Sequence, residues 1–139
     1  MIVVDTNIIG YLFLSSDQSP AAERVLQKDG EWAAPILWRS EFRNVLALYM
    51  RKDLINLHQA QRIMTDALAL MRGREFEPSS HEVLRLAAKS NCSAYDCEFV
   101  AVAGDLSVPL ITVDKQLLRG FPAAAMSLNS YVKAFPENA

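Results

Sequence analysis

Ile2-Val3-Val4-Asp5-Thr6-Asn7 is the stretch that decides the fold. Ile and Val are β-branched and favour strands, so Ile2-Val3-Val4 reads as a short first strand, central in its sheet. Asp5 ends it, and Asn7 to Leu14 reads as a short helix. In open α/β sheets, ligands bind beyond the carboxyl ends of the strands. Asp5 therefore stands where a site belongs. Leu110-Ile111-Thr112-Val113-Asp114 repeats the layout, an apolar strand closed by an aspartate. Two such strands, if neighbours, bring both carboxylates to one rim.

Outward from these two strands, short apolar runs alternate with segments of helical period, the pattern of an α/β fold with a mainly parallel sheet. Ser19-Pro20 opens a second helix, with Ser19 expected as N-cap and Pro20 at its first position. Glu31 to Ala34 is a brief strand. Ile36 to Lys52 and Leu57 to Arg72 form a helical arm. Arg74 to Glu77 is a further strand. Ser79-Ser80-His81-Glu82 fits a capping box for a helix running to Ser90. Ser93 to Asp105 is the next helix, then the strand Pro109 to Val113 and a short helix from Lys115 to Leu118. Ala125 to Leu128 reads as an edge strand, and Asn129 to Phe135 as the last helix.

The 139 residues suit a single domain, 1–139. Hydrophobic residues make up 51% of them, which argues against disorder. Fourteen Lys and Arg against 16 Asp and Glu give a net charge of −2. A basic footprint for nucleic acid is absent at that level, so any such partner must be met by local charge or by bound cations. Cys92 and Cys97 make no disulfide framework. Met1 leads straight into the first strand, unlike a secretory signal, and no apolar run approaches the ~20 residues of a membrane span. A cytoplasmic chain with no membrane partner is expected.

Two more acids fall at unexpected places. Glu41 lies inside the arm's first helix, three or four residues from Leu37, Trp38, Asn44 and Val45, on or beside the face due for burial. Asp96 shares a face with Cys92, Phe99, Val100 and Ala103. Each acid has a bland reading. Asp5 and Asp114 make good N-caps, Ser93 to Asp96 fits a capping box, and Glu41 can pack its stem while its head reaches water or a cation. The joint pattern points further. Two carboxylates 5 Å apart repel by roughly 3 kcal/mol at an effective dielectric near 20, so four converging acids call for a cation. Hard oxygen ligands favour Mg²⁺ or Mn²⁺. Such an ion polarises a phosphoryl oxygen and positions water for in-line attack. The expectation is a metal-dependent nuclease with Asp5, Glu41, Asp96 and Asp114 within about one coordination sphere, directly or through water.

At these residues the sequence resembles the PIN-domain ribonucleases, and among them the VapC-type toxins. The resemblance is carried by Ile2 to Asn7, by Ser40-Glu41-Phe42-Arg43-Asn44-Val45-Leu46, by Ser93 to Ala101, and by Val108 to Asp114, in order along the whole chain. Ser93-Ala94-Tyr95-Asp96 followed at the right distance by Thr112-Val113-Asp114 is its most specific part. It implies a three-layer PIN-like fold, a mainly parallel twisted sheet flanked by helices. It implies a Mg²⁺- or Mn²⁺-dependent endoribonuclease with an RNA substrate, a homodimer and a cognate antitoxin. The four acids would form the catalytic metal site, supported through hydrogen bonds by Thr6, Asn7 and Thr112. Cys97 departs from the family's usual small residue, commonly Ala, and as a small apolar side chain should change little.

Other features are set aside. His58 and His81 lack zinc spacing, the five glycines make no phosphate loop, and no serine-hydrolase elbow appears. Trp32, Trp38, Phe42, Phe76 and Phe99 read as core. Lys115, beside Asp114, is the candidate RNA-backbone contact. An apolar excess on the arm (Leu46, Tyr49, Met50, Ile63, Met64, Leu68, Leu70, Met71) suits a dimer and an antitoxin. The alternatives are a non-toxin PIN-fold RNA-processing nuclease and a catalytically idle PIN-like binding module. A phosphatase of the haloacid-dehalogenase type needs a second aspartate where Asn7 stands.

Overall fold

The computed structural model describes residues 1–134. Five strands, β1 (Ile2–Val4), β2 (Trp32–Pro35), β3 (Glu75–Phe76), β4 (Leu110–Thr112) and β5 (Ala125–Ser127), form one sheet in the order β3-β2-β1-β4-β5. Every pairing is parallel. β1 is central, as its apolar run implies, and all three of its residues are buried. β4 is its direct neighbour, with Val3 opposite Leu110 and Val4 opposite Ile111.

Parallel strands need crossover connections, usually helical. The crossovers here contain α1 (Thr6–Phe13), α2 (Ser19–Lys28), α3 (Trp38–Arg51), α4 (Leu57–Met71), α5 (Ser80–Ala88), α6 (Ala94–Leu106) and α7 (Lys115–Gly120), and α8 (Leu128–Ala134) follows β5. α6 lies across β1, β2 and β4, with α5 packed over it. It is apolar nearly all round because it is sandwiched. Cys97, Phe99, Val100, Ala101, Val102 and Ala103 are all buried. α1, α4 and α8 meet the strands in a second helical layer, where α2 joins α1 to α8 and α3 packs on α1 and α4. Trp32, Trp38, Phe42 and Phe99 fill the core, and Phe76 packs against it half-buried. Both cysteines are free and buried.

Several local expectations are corrected. Ser19 is the first residue of α2, not its cap, and the N-cap position falls to Gln18. The Ser19 hydroxyl serves the preceding helix instead. It lies 2.6 Å from Tyr11 O and 3.0 Å from Leu14 O, satisfying carbonyls at the open end of α1. Ser79 caps α5, but Glu82 gives its carboxylate to Arg85 rather than completing the box. The reciprocal capping box occurs at Asn56 and Gln59, opening α4. α5 stops at Ala88, short of Ser90. The last helix spans Leu128–Ala134, and Phe135 lies outside the described residues. Within the arm, Leu46 and Met71 belong to the core, while Leu48, Leu54 and Leu57 are the exposed leucines.

One polar clamp sets the arm against the sheet. Arg39 grips Glu75 in a two-pronged pair at 2.6 Å for each bond, and the Trp38 indole N–H adds a third at 2.8 Å. The guanidinium holds the Glu75 carboxyl below its ordinary range. This fixes the start of α3, and so Glu41 two residues on, to the edge strand β3. Glu75→Gln should lower stability by about 1 kcal/mol, kept small because the guanidinium is partly in water. The exposed Glu82–Arg85 pair should be dispensable, so Glu82→Gln should leave the urea midpoint where it is.

Candidate active site

The β1–β4 register places Thr112 opposite Asp5, one residue past the last strand pair, and the Asp5 N–H reaches Ile111 O at 3.0 Å. The buried Asp5 carboxylate accepts the Thr6 N–H on Oδ1 at 2.7 Å. The fully buried Thr112 hydroxyl donates to its Oδ2 at 2.8 Å. Burial pushes the Asp5 pKa up to about 6. Thr112 and Thr6 oppose that rise, and the nearby charges of Glu41 and Asp96 add to it.

Glu41 projects from the first turn of α3 and accepts the Thr6 hydroxyl on Oε1 at 2.7 Å. It is half-buried, and its pKa is raised, mainly by desolvation and in part by Asp96. Asp96 stands in the first turn of α6, where Ser93 caps the helix by accepting the Asp96 N–H at 3.0 Å. Desolvation raises the Asp96 pKa, repulsion from Asp114 raises it further, and Ser93 opposes both. Asp114 caps α7, with Oδ1 accepting the Gln116 and Leu117 N–H groups at 2.8 and 3.3 Å. Its own N–H donates to Thr112 Oγ1 at 3.0 Å. The bland reading of Asp5 and Asp114 as caps thus holds in the geometry, and it leaves Asp114 Oδ2 unspent.

The electrostatic neighbours form a chain: Asp114 acts on Asp96, Asp96 on Asp5 and Glu41, and Glu41 on Asp5. Asp5 and Asp114 follow β1 and β4 at the carboxyl edge of the sheet, and Glu41 and Asp96, from the first turns of α3 and α6, are linked to them through these charges. Among the described residues, however, no three His, Cys, Asp or Glu stand close enough to form a ready cage for an ion. None of the four acids joins an ion pair there. The three pairs present are Met1–Asp29, Arg39–Glu75 and Arg85–Glu82. The four side chains are all-oxygen donors, and among the described residues no Lys, Arg or His forms an ion pair with them. Such donors suit a hard divalent cation that keeps part of its water shell.

Of the expected supporting residues, Thr6 and Thr112 make the bonds described. Asn7 is exposed, and among the described residues it bonds to none of the four acids; it lines a groove with Thr6, Gly10, Tyr11, Leu14, Val45 and Tyr49 between α1 and α3. Lys115 is exposed at the start of α7. Glu98 escaped the sequence reading. It is close enough to Glu41 and Glu77 for both to raise its pKa behind the larger effect of burial. No spacing could reveal it, because the three glutamates come from three separate segments.

A family model described as PIN domain matches residues 2–120. Ribonuclease VapC3 of Pyrobaculum aerophilum is 29% identical over 126 residues, covering 88% of this chain and 95% of the relative. Among solved structures, FitAcB from Neisseria gonorrhoeae aligns with a TM-score of 0.72 at 20% identity, over 92% of this chain and 98% of its own. A toxin–antitoxin complex from Klebsiella pneumoniae aligns at 0.70 and 20%, with the same coverage. At that identity the two structures speak for the fold alone.

The raised Asp5 pKa has a definite signature in the metal-free protein. A carboxyl whose folded pKa lies above its unfolded value contributes most below the unfolded pKa, near 4, and loses that contribution as pH rises through about 6. That rise in pKa corresponds to roughly 3 kcal/mol. Glu41 and Asp96 act in the same direction, while Glu75 acts in the opposite one. The comparison with Asp5→Asn isolates the effect. In chelator, the variant should match the parent near pH 4 and exceed it in urea stability at pH 7.5. Equal stability of the two at every pH would mean that Asp5 is not held out of water.

Proposed function

This chain belongs to the PIN-domain family, and on that footing we propose that it is a divalent-metal-dependent endoribonuclease acting as the toxin of a toxin–antitoxin pair. The observation that carries this is the buried Asp5 carboxylate at the end of the central strand, paired with no cation among the described residues and close enough to Glu41 and Asp96 to feel their charge. The match to Ribonuclease VapC3, over 88% of this chain, supports RNA as substrate. Residues 1–139 act as one PIN domain, in the cytoplasm.

Asp5, Glu41, Asp96 and Asp114 hold Mg²⁺ or Mn²⁺ directly or through water. When bound, the ion supplies positive charge for a phosphoryl oxygen and an activated water for in-line attack. The chain's own part is positioning. Thr112 locks Asp5 Oδ2, the Thr6 N–H locks Asp5 Oδ1, and the Thr6 hydroxyl aims Glu41. Lys115 contacts the RNA backbone next to Asp114. Asn7, being exposed, serves the mouth of the site rather than its interior.

The partners follow from the same surfaces. Two copies pair through the helical arm, and a cognate antitoxin lays its tail along the α1–α3 groove that Tyr11, Leu14, Val45 and Tyr49 line. A tail Arg placed among the four acids would compete with the metal, because a guanidinium pairs with carboxylates and stays charged.

The decisive experiment combines cleavage and binding. With Mg²⁺ or Mn²⁺ the parent should cut RNA, chelator should stop it, and Asp5→Asn and Asp96→Asn should each abolish cutting while melting no earlier than the parent. Calorimetry with Mn²⁺ should show binding to the parent and its loss in Asp5→Asn. Asn variants that cut at the parent rate would refute this mechanism. A parent that binds Mn²⁺ without cutting any RNA would leave only a binding module.

A further inference from the structure

The rim of the acidic pocket is chemically lopsided. Beyond Glu41 it continues negative, through Glu98 to Glu77. The surroundings of Asp96 and Asp114 are built differently. There the α5–α6 connection packs on α7: Cys92 Sγ lies 3.5 Å from Gln116 O, and Gly120 has no room for a Cβ without crowding Cys92 Sγ at 3.3 Å. α7 carries Lys115 and Arg119, and Lys89 stands 6.0 Å above the Phe121 ring. All three cations are exposed, and among the described residues none is engaged in an ion pair. Tyr95 completes this side. It occupies the first turn of α6, directly before Asp96, and is 64% exposed. Among the described residues its ring stacks on nothing and its hydroxyl bonds to nothing. The core has no use for this ring.

Single-stranded nucleic acid is held where cations track the backbone and an aromatic face receives a base. We propose that Tyr95 is a stacking platform for an unpaired base beside the scissile phosphate, with Lys115 and Arg119 holding the backbone that leads to it. The strand then leaves the site over the α6–α7 edge and avoids the Glu98–Glu77 side, where its phosphates would meet carboxylates. This rests on the ribonuclease reading above and adds to it a binding subsite and a direction of approach. Because every base has a π-face, the platform tolerates any base.

The test is steady-state cleavage of a short single-stranded oligoribonucleotide in Mg²⁺. Tyr95→Ala should raise KM about tenfold, with kcat unchanged because the contact is made equally before and during the reaction. Tyr95→Phe should stay within about twofold of the parent, since it keeps the π-face. Tyr95→Leu should behave as Ala does. Lys115→Ala should lower the slope of log kcat/KM against log salt by about 0.7, one phosphate contact on a single strand. Melting temperatures should match the parent throughout, as befits an exposed side chain. A parental KM in Tyr95→Ala, or rescue by Leu as complete as by Phe, overturns the platform while the ribonuclease reading stands. A parent that cuts no RNA overturns both.

Discussion

The hydrogen bond from Thr112 to Asp5 spans 107 positions of sequence and exists in one parallel register only. A slip of one residue would turn the Thr112 side chain to the other face of the sheet. It would leave the Asp5 carboxylate buried with only the Thr6 N–H to answer it. The same hydroxyl oxygen accepts the Asp114 N–H. One threonine therefore fixes an acid on its own strand and an acid on the next, and the geometry of the pocket inherits the precision of a sheet rather than the latitude of a loop.

What the sheet positions, electrostatics strains. Three carboxyls are pushed up in pKa, each chiefly by loss of water, and their mutual repulsion adds to it. Free folding energy is spent on holding acids together in the absence of a counter-ion. The surrounding structure offsets this with apolar burial along β1, β4 and α6, and with the Arg39–Glu75–Trp38 clamp. Helix capping also helps. Asp5 and Asp114 each close a helix with the same side chain that faces the pocket, so part of the cost of burying them is returned by backbone N–H groups.

Much of this was legible in the residues. Strands that end in aspartate and an acid on an inward helix face are local patterns, and they located Asp5, Asp114 and Glu41 without coordinates. Asp96 was legible twice, as the N3 partner of Ser93 and as an acid on an apolar face. The remainder was hidden because it depends on tertiary partners. Nothing around Ser19 says that its hydroxyl will turn back to α1 rather than cap α2. Glu82 fits a capping box, but its carboxylate is taken by Arg85 three residues on, a partner that the box pattern does not include. Asn7 is a supporting residue by the resemblance alone, and in the fold it is exposed near the start of α1. Glu98, Glu77 and Glu41 become neighbours only when α6, the β3–α5 connection and α3 converge.

The strand order carries a consequence for the timing of synthesis. β1 emerges first from the ribosome, but its neighbour β4 is made after residue 109, with β2, β3 and most helices in between. Until then Asp5 lacks Thr112, and Asp96 lacks Asp114. At about 5–20 residues per second, that interval lasts from roughly five to twenty seconds on each growing chain. Over it the nascent protein holds first one, then two, then three of its acids, on unrelated segments. The site comes into being late and all at once, when Thr112 and Asp114 join acids made long before them.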